Sequence, residues 1–370
     1  MHITLLEPYC TGSHAAWARE YAQHSRFEVE LLTLPGRNWK WRMHGGALEL
    51  ASRFLASGRR PDLLLATDML DLTTFLALTR SATAGCRCAL YFHENQLTYP
   101  WSPGDSDPAE KRDLHYAFIN YASALAADAV LFNSDYHRDS FLQALPPFLK
   151  AFPDCRDLSS VDAIARKSSV LHLGLDLAGL DALRPMQRED GVAPLILWNH
   201  RWEYDKDPDA FFAALFTLAE EGVPFRVAVV GESFGRSPGI FQEARRRLGE
   251  RVVHWGYAES FADYAGWLWK ADILPVTSRQ EFFGASVVQA LYCDCTPLLP
   301  RRLSYPEHVP AEAVPLCLYD EGESLVDRLR GLLLGAEEKT VLREHVMRYD
   351  WSILAPAYDL FFEKLARGGE

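Results

Sequence analysis

The chain has 370 residues, of which 48% are apolar and 24% charged, and its net charge is −12. That length exceeds one doubly wound domain and suits two, and the composition excludes a disordered chain. The acidic balance argues against indiscriminate binding to nucleic acid or anionic membranes, and no apolar run approaches the roughly 18–20 residues needed to span a bilayer.

The opening Met1-His2-Ile3-Thr4-Leu5-Leu6-Glu7-Pro8 lacks a basic n-region and reads as a first buried strand rather than a signal peptide. Seven cysteines without a secretion signal point to free thiols in a reducing, cytoplasmic compartment. Short apolar runs at Ile3–Leu6, Val29–Leu34, Asp62–Ala66, Ala89–Phe92 and Ala129–Phe132 predict buried parallel strands. Helical patterns lie between them at His14–His24, Ala47–Ser57, Leu70–Thr79 and Glu110–Ala127. The stretch 145–190 breaks this rhythm with Pro146-Pro147 and Pro153, a short helix near Val161–Lys167 and a strand at Val170–Leu173. The βα order then restarts, with strands at Leu195–Trp198, Val227–Val230, Val252–His254 and Ile273–Val276. Helices are expected at Asp209–Glu220, Ile240–Leu248, Phe261–Trp269 and Ala285–Tyr292.

The fold class expected is therefore α/β, with two Rossmann-like domains and a cleft between their strand C-termini. The N-terminal domain spans 1–175 and the C-terminal domain 176–350. An amphipathic helix within 351–370, with Trp351, Leu354, Tyr358, Phe361, Phe362 and Leu365 near one face, is expected to pack back across the junction. Sugar transferases, epimerases, dehydrogenases and binding proteins share such an architecture, so function has to come from motifs.

The first βα turn, Pro8-Tyr9-Cys10-Thr11-Gly12-Ser13-His14, lacks the dinucleotide fingerprint Gly-x-Gly-x-x-Gly. Gly12 and Ser13 can still present helix N-terminal N–H groups to a phosphate or sugar; a plain turn capped by Ser13 accounts for them equally. A stronger signal is Glu281-Phe282-Phe283-Gly284-Ala285, which follows a strand and opens a helix carrying Gln289. Here an acid precedes a glycine that lets a ligand approach the backbone, and the helix N-terminus favours an anion. Earlier, Asn199–Pro208 carries Arg201 and Lys206, which can clamp a diphosphate from two sides and stabilise a leaving group without a metal. A solvated charged loop would contain the same residues.

Together these two motifs resemble the retaining GT-B enzymes of glycosyltransferase family 4. The resemblance implies that Arg201 and Lys206 hold the donor diphosphate and that Glu281 is a catalytic residue contacting the donor sugar. Gly231-Glu232-Ser233 and His254-Trp255-Gly256-Tyr257-Ala258 match the family's other donor-side loops, which brings Ser233 and Tyr257 to the donor. Gln289 departs from the pattern, standing where the family has a second Glu on the ribose hydroxyls.

A closer resemblance lies in the first half. Trp39-Lys40-Trp41-Arg42-Met43, Tyr91-Phe92-His93-Glu94-Asn95-Gln96, Asn120–Asp128 and Phe132-Asn133-Ser134-Asp135-Tyr136-His137 are similar to the tRNA-queuosine mannosyltransferase family. That resemblance implies transfer of mannose from GDP-mannose to queuosine at the wobble position of tRNA, with no metal and no other cofactor. His93, at a strand end, joins Glu281 as catalytic. Asn95, Gln96, Asn133 and Ser134 fall on the acceptor side.

Trp39, Lys40, Trp41 and Arg42 offer two aromatic faces beside two cations, the chemistry that holds unstacked RNA bases and phosphates. Their composition also fits an amphipathic surface turn with tryptophan in the core. Arg37 and Arg59-Arg60 are expected to extend a basic strip. Asp105-Ser106-Asp107 has the spacing of a metal-binding pair, but its Pro/Gly surroundings read as a mobile loop beside the acceptor. Cys86-x-Cys88 and Cys293-x-Cys295 lack zinc spacing. Two rival functions stay open: the same fold acting on a surface glycan or lipid, and a non-catalytic RNA-binding protein on a decayed transferase fold. A membrane-active transferase would be expected to carry a docking helix near its N-terminus, which is not evident; decay is favoured by Gln289 alone.

Overall fold

The computed structural model describes residues 1–109, 114–186, 191–232, 238–335 and 340–368. The chain forms two compact units: Met1–Leu175 together with the C-terminal segment from Trp351, and Asp176–Asp350.

The first unit runs β1 (His2–Cys10), α1 (Gly12–His24), β2 (Glu28–Pro35), α2 (Trp39–Ser57), β3 (Leu63–Thr67), α3 (Leu72–Thr83), β4 (Arg87–Phe92), α4 (Leu114–Ala126), β5 (Ala129–Phe132), α5 (Asp135–Lys150), α6 (Ser159–Arg166) and β6 (Ser168–Val170). Its strands form one sheet in the order β2-β1-β3-β4-β5-β6. Every pairing is parallel, with Leu5 opposite Leu31 on one side and Leu65 on the other. Strands β3 and β5 are buried along their whole length, which is why they appear in the sequence as unbroken apolar runs.

The second unit continues with β7 (Leu195–Trp198), α7 (Pro208–Glu220), β8 (Arg226–Val230), α8 (Ile240–Leu248), β9 (Val252–Gly256), α9 (Phe261–Lys270), β10 (Ile273–Pro275), α10 (Ala285–Tyr292), β11 (Thr296–Pro300), α11 (Val314–Cys317), β12 (Leu318–Tyr319), α12 (Leu325–Leu333) and α13 (Arg343–Val346). Its sheet order is β12-β11-β10-β7-β8-β9, again parallel throughout. The aromatic core around Trp198, Phe211, Phe212 and Phe241 lies between β7, α7 and α8.

Four elements differ from expectation. Helix α2 starts at Trp39, not Ala47, after Asn38 in a left-handed conformation (φ 54°), so the Trp-rich run is a helical first turn. Helix α5 continues through Pro146-Pro147 to Lys150 because Phe148 and Leu149 are buried, and that burial outweighs the lost backbone donors. Strand β11 carries Pro297 and Pro300, which hid it in the sequence, yet it pairs on both sides. The final strand of the first unit lies at Ser168–Val170 rather than Val170–Leu173.

The last helix, α14 (Trp351–Ala366), is part of the first unit and packs on α1. Tyr358 Oη accepts from the Trp17 indole at 3.1 Å and donates to the His172 carbonyl at 2.8 Å. Asp359 is buried and accepts from Tyr21 Oη (3.0 Å), Ser25 Oγ (2.6 Å) and the Arg26 backbone N–H (2.8 Å). Trp351 lies so close to Gly174 that a Cβ there would meet its ring at 2.5 Å. Among the described residues no helix is long and apolar enough to cross a membrane, and every cysteine is a free thiol.

Asp359→Ala leaves one buried and two part-buried hydrogen bonds without their acceptor. It is expected to destabilise the first unit by about 1–3 kcal/mol. Urea unfolding checks this, and an unchanged midpoint would show that α14 is held by its apolar face alone.

Candidate active site

Both sheets gather polar side chains at their carboxyl edges, the edge where open α/β sheets bind ligands. In the second unit β7 ends at Trp198 and the chain loops through Asn199–Asp207 into α7. The next strand returns so close to this loop that a Cβ on Gly231 would sit 2.1 Å from the His200 carbonyl oxygen, so only glycine fits. Lys206 is buried, and its Nζ donates to the Gln280 carbonyl at 2.9 Å and to Glu281 Oε2 at 3.3 Å. Asp205 Oδ2 lies 3.2 Å away as an ion contact without hydrogen-bond alignment. Burial works against the Lys206 ammonium, but the charges of Glu281 and Asp205 outweigh it and hold its pKa above the usual lysine range. Burial also works against the Glu281 carboxylate, and Lys206 holds that group below the usual range. His200 is pushed down to about 3 by burial and then by the Lys206 charge, so it is neutral.

Glu281 is fixed by its own turn, its Oε1 accepting from the backbone N–H groups of Phe282 (3.1 Å) and Phe283 (3.4 Å). Behind the turn the Phe283 carbonyl accepts from Ser304 Oγ at 2.9 Å and hydrogen-bonds His308 Nε2. Gly284 caps α10 at φ 91°, and no side chain caps that helix start. Arg201 is half exposed and paired with Glu203 at 3.2 Å. Gln289 is half-buried on α10, and its Oε1 accepts from Tyr264 Oη at 3.0 Å. Ala285 is half-buried and Tyr257 is exposed; Ser233 lies outside the described residues.

In the first unit His93 follows β4. Its backbone N–H donates to Asp68 Oδ1 (2.8 Å), and its carbonyl accepts from Asn133 Nδ2 (2.9 Å). The ring is buried among Trp17 (4.7 Å between centroids), Tyr91 (4.9 Å) and His14 (4.2 Å, tilted 34°). Its Nε2 is buried with no hydrogen-bond partner among the described residues. His14 Nδ1 lies 3.0 Å from Oε2 of the fully buried Glu7. Burial alone would lower the His14 pKa; the Glu7 charge and hydrogen bond outweigh it, with Asp68 and Glu94 adding, and raise it to about 9. The stability this pair contributes is therefore complete below the ordinary histidine range and is lost as pH rises through about 9. Burial, then the His14 charge, holds His93 well below the ordinary range. Gly12 and Ser13 are exposed at the start of α1, whose N-cap is Thr11 rather than Ser13.

Several expected acceptor residues are corrected by these contacts. Asn95 is fully buried, its Oδ1 accepting from the Leu97 and Thr98 backbone, so it builds its own turn. Asn133 bridges the His93 carbonyl and His137 Nδ1, and Ser134 is the buried N-cap of α5. These three side chains satisfy backbone groups at strand and helix ends and are not open to a ligand. Gln96 is half-buried, its side chain donating to Glu94 at 3.0 Å.

Helical spacing separates the two tryptophans. Trp39 is half-buried against Tyr116 (5.0 Å) and Trp101 (6.2 Å), whereas Trp41 is 61% exposed and lies over Gly45. Lys40 Nζ is held between Asp105 (2.7 Å) and Asp107 (2.6 Å), so its charge is already matched. The pair expected to be a mobile loop is in fact the lysine's clasp. Arg42 is partly exposed and donates to the Pro35 carbonyl. Arg59 pairs with Glu28 and Glu30 beside the amino ends of the strands, the opposite edge from His93, so the expected basic strip is not continuous.

Sequence reasoning passed over Glu7, His14, Asp68, Asp205 and Tyr264. Only Glu7 carried a signal, a carboxylate ending an otherwise apolar run. Glu7, His14 and His93 bring their donor atoms within 4.8 Å of one another, the one such metal-like set among the described residues.

Residues 2–175 match the family described as tRNA-queuosine alpha-mannosyltransferase N-terminal. A Drosophila melanogaster protein named tRNA-queuosine alpha-mannosyltransferase is 32% identical over 335 residues, covering 89% of this chain and 86% of its own length. Among solved structures, Anabaena HepE in complex with UDP aligns with a TM-score of 0.66 at 16% identity, over 98% of this chain and 100% of that one. Sucrose-phosphate synthase from Thermosynechococcus elongatus aligns with a TM-score of 0.66 at 14% identity over the full length of both. The fold is thus GT-B, two Rossmann-like α/β units.

Gly231→Ala is expected to force the His200–Trp202 loop away and to destabilise the second unit by roughly 1–3 kcal/mol, as overpacking does. Thermal unfolding checks the loss; a wild-type midpoint would show that the loop yields freely.

Proposed function

The chain belongs to the tRNA-queuosine alpha-mannosyltransferase family, and from that premise we propose that it transfers mannose from GDP-mannose to queuosine at the tRNA wobble position, with retention of anomeric configuration. It is a glycosyltransferase, and the similarity running through both units carries the reading of its acceptor. The buried Lys206–Glu281 pair beside the α10 N-terminus supports the reading of the donor side.

In this reading the acceptor hydroxyl attacks the anomeric carbon on the face from which the diphosphate departs. The anomeric C–O bond breaks as the new one forms, and a diphosphate oxygen takes the hydroxyl proton. Arg201, Lys206 and the start of α10 stabilise the charge that builds on the leaving group, which a divalent ion would otherwise do. Glu281 and His93 meet sugar or acceptor hydroxyls. Gln289 offers its –NH2 to the ribose, since Tyr264 occupies its Oε1. On the acceptor side Trp41 stacks on an unpaired base and Arg42 meets phosphate, while Lys40 stays with its two aspartates.

Lys206→Ala and Glu281→Ala are each expected to lower turnover by about 10²-fold, the usual loss for one transition-state contact. Near-normal single-turnover rates in either variant would misplace the donor site. EDTA is expected to leave turnover largely intact; a strict requirement for Mg2+ or Mn2+ argues against the cationic clamp.

The decisive experiment offers queuosine-containing tRNA, and the same tRNA with guanosine at the wobble position, with a panel of nucleotide sugars. Mass analysis of the digested nucleosides should show one added hexose on queuosine from GDP-mannose only. Equal labelling of both tRNAs, or transfer from another donor alone, overturns the proposal. Trp41→Ala should weaken tRNA binding by about 1–3 kcal/mol, read by a salt-controlled filter-binding series.

A further inference from the structure

A fully buried carboxylate on a central strand needs a reason. Glu7 lies within β1, wholly shielded from water, and its Oε2 holds His14 Nδ1 at 3.0 Å. Its other oxygen accepts the Tyr9 backbone N–H at 2.7 Å. A buried ion pair of this kind commonly stabilises no better than two apolar side chains of similar volume would. His14 also stands in the first turn of α1, where the helix dipole opposes a positive charge. Stability alone therefore does not account for the arrangement, and its product is an imidazolium laid 4.2 Å from the ring of His93.

We propose that Glu7 and His14 are positioning residues for His93: the buried carboxylate favours the imidazolium form of His14, and that neighbouring charge adds to burial in keeping His93 neutral, so that His93 meets a sugar or acceptor hydroxyl as a hydrogen-bond acceptor. The inference rests on the reading of His93 as a site residue. Two observations carry it independently of titration. His93 Nε2 is buried and has no hydrogen-bond partner among the described residues. Glu7 can reach only the Nδ1 edge of His14, which leaves the His14 Nε2–H on the opposite edge of the ring. Neither ring is therefore consumed by the interior.

The other titratable groups around the pair act in known directions. Asp68, after β3, accepts the His93 backbone N–H, and burial pushes its carboxyl well above the usual range. Glu94, next to His93, adds to the field that favours a charged His14. His137, on α5, is pushed well below the usual range by burial, and it adds the smallest of the three lowering influences on His93. Tyr9 meets His14 edge-on at 6.1 Å. Glu7 is the partner in direct contact, so its removal is the specific perturbation.

The experiment begins with the unaltered protein. Long-range 1H–15N correlation spectra of histidine-labelled chain, assigned with His14→Asn and His93→Asn, are recorded from pH 6 to 10. Both His14 nitrogens should be protonated at pH 7.5, with a midpoint near 9, while His93 stays neutral throughout. A neutral His14 at pH 7.5 overturns the proposal. This readout needs no substrate, so it stands or falls separately from the queuosine assignment. In the transfer assay the acid limb of kcat/KM should move up by about one pH unit in Glu7→Gln, because His93 loses a neighbouring charge that opposes its protonation. His14→Gln should lower kcat at least tenfold with donor KM changed less than threefold. A limb that stays in place in a folded Glu7→Gln protein refutes the mechanism. One tightly held equivalent of zinc in the wild type, lost in Glu7→Gln, would also refute it by assigning the cluster to a metal.

Discussion

Parallel sheets end all their strands on one edge, and the backbone groups released there must be satisfied without the help of a neighbouring strand. In this chain that task falls to short polar side chains: Asp68 for the His93 N–H, Asn133 for the His93 carbonyl, Asn120 for the Asp68 carbonyl and Gln96 N–H, and Ser304 for the Phe283 carbonyl. Without this scaffold the loops bearing His93 and Glu281 would have many conformations. With it, each presents its group in one, and a site that does not reorganise during reaction is worth more than one that must. The polar scaffold and the groups it positions are interleaved in the sequence, which has consequences for what could be read from it.

Strands were legible wherever they were buried on both faces, since burial demands an unbroken apolar run. Strand β11 was not, because Pro297 and Pro300 mimic a loop, and α5 was not read at all, its last turn lying in the stretch from 145 that Pro146-Pro147 makes look irregular. In both places long-range packing overrides a local signal. The motif around Glu281 and the Arg201–Lys206 loop was legible from its position after a strand. Their ion pair was not, since 75 residues separate Lys206 from Glu281. Asn95, Asn133 and Ser134 were drawn to the ligand by proximity to His93, although amides and hydroxyls at such junctions serve the backbone first. The Asp105–Asp107 spacing pointed to a metal or a loose loop, and the lysine that occupies it lies on another element.

The two units solve the same problem with opposite charges in the buried role. In the second, a lysine is sunk among carboxylates and remains charged; in the first, a carboxylate is sunk beneath an imidazole and charges it. Each places a fixed cation at a sheet edge while the surface as a whole is acidic.

The first unit is discontinuous in the chain: its last helix is synthesised only after the whole of Asp176–Asp350. Until α14 arrives, Trp17 lacks its hydroxyl partner, and Tyr21, Ser25 and Arg26 lack the acceptor that Asp359 supplies. Folding on the ribosome must therefore finish in reverse order for the two units, the second able to close while the first is still waiting. A chain broken off shortly before Trp351 would display an intact second unit and an unfinished first one with buried aromatic surface laid open. Such a product would expose apolar surface of the kind that chaperones and proteases recognise, and it would do so in the half of the molecule made first.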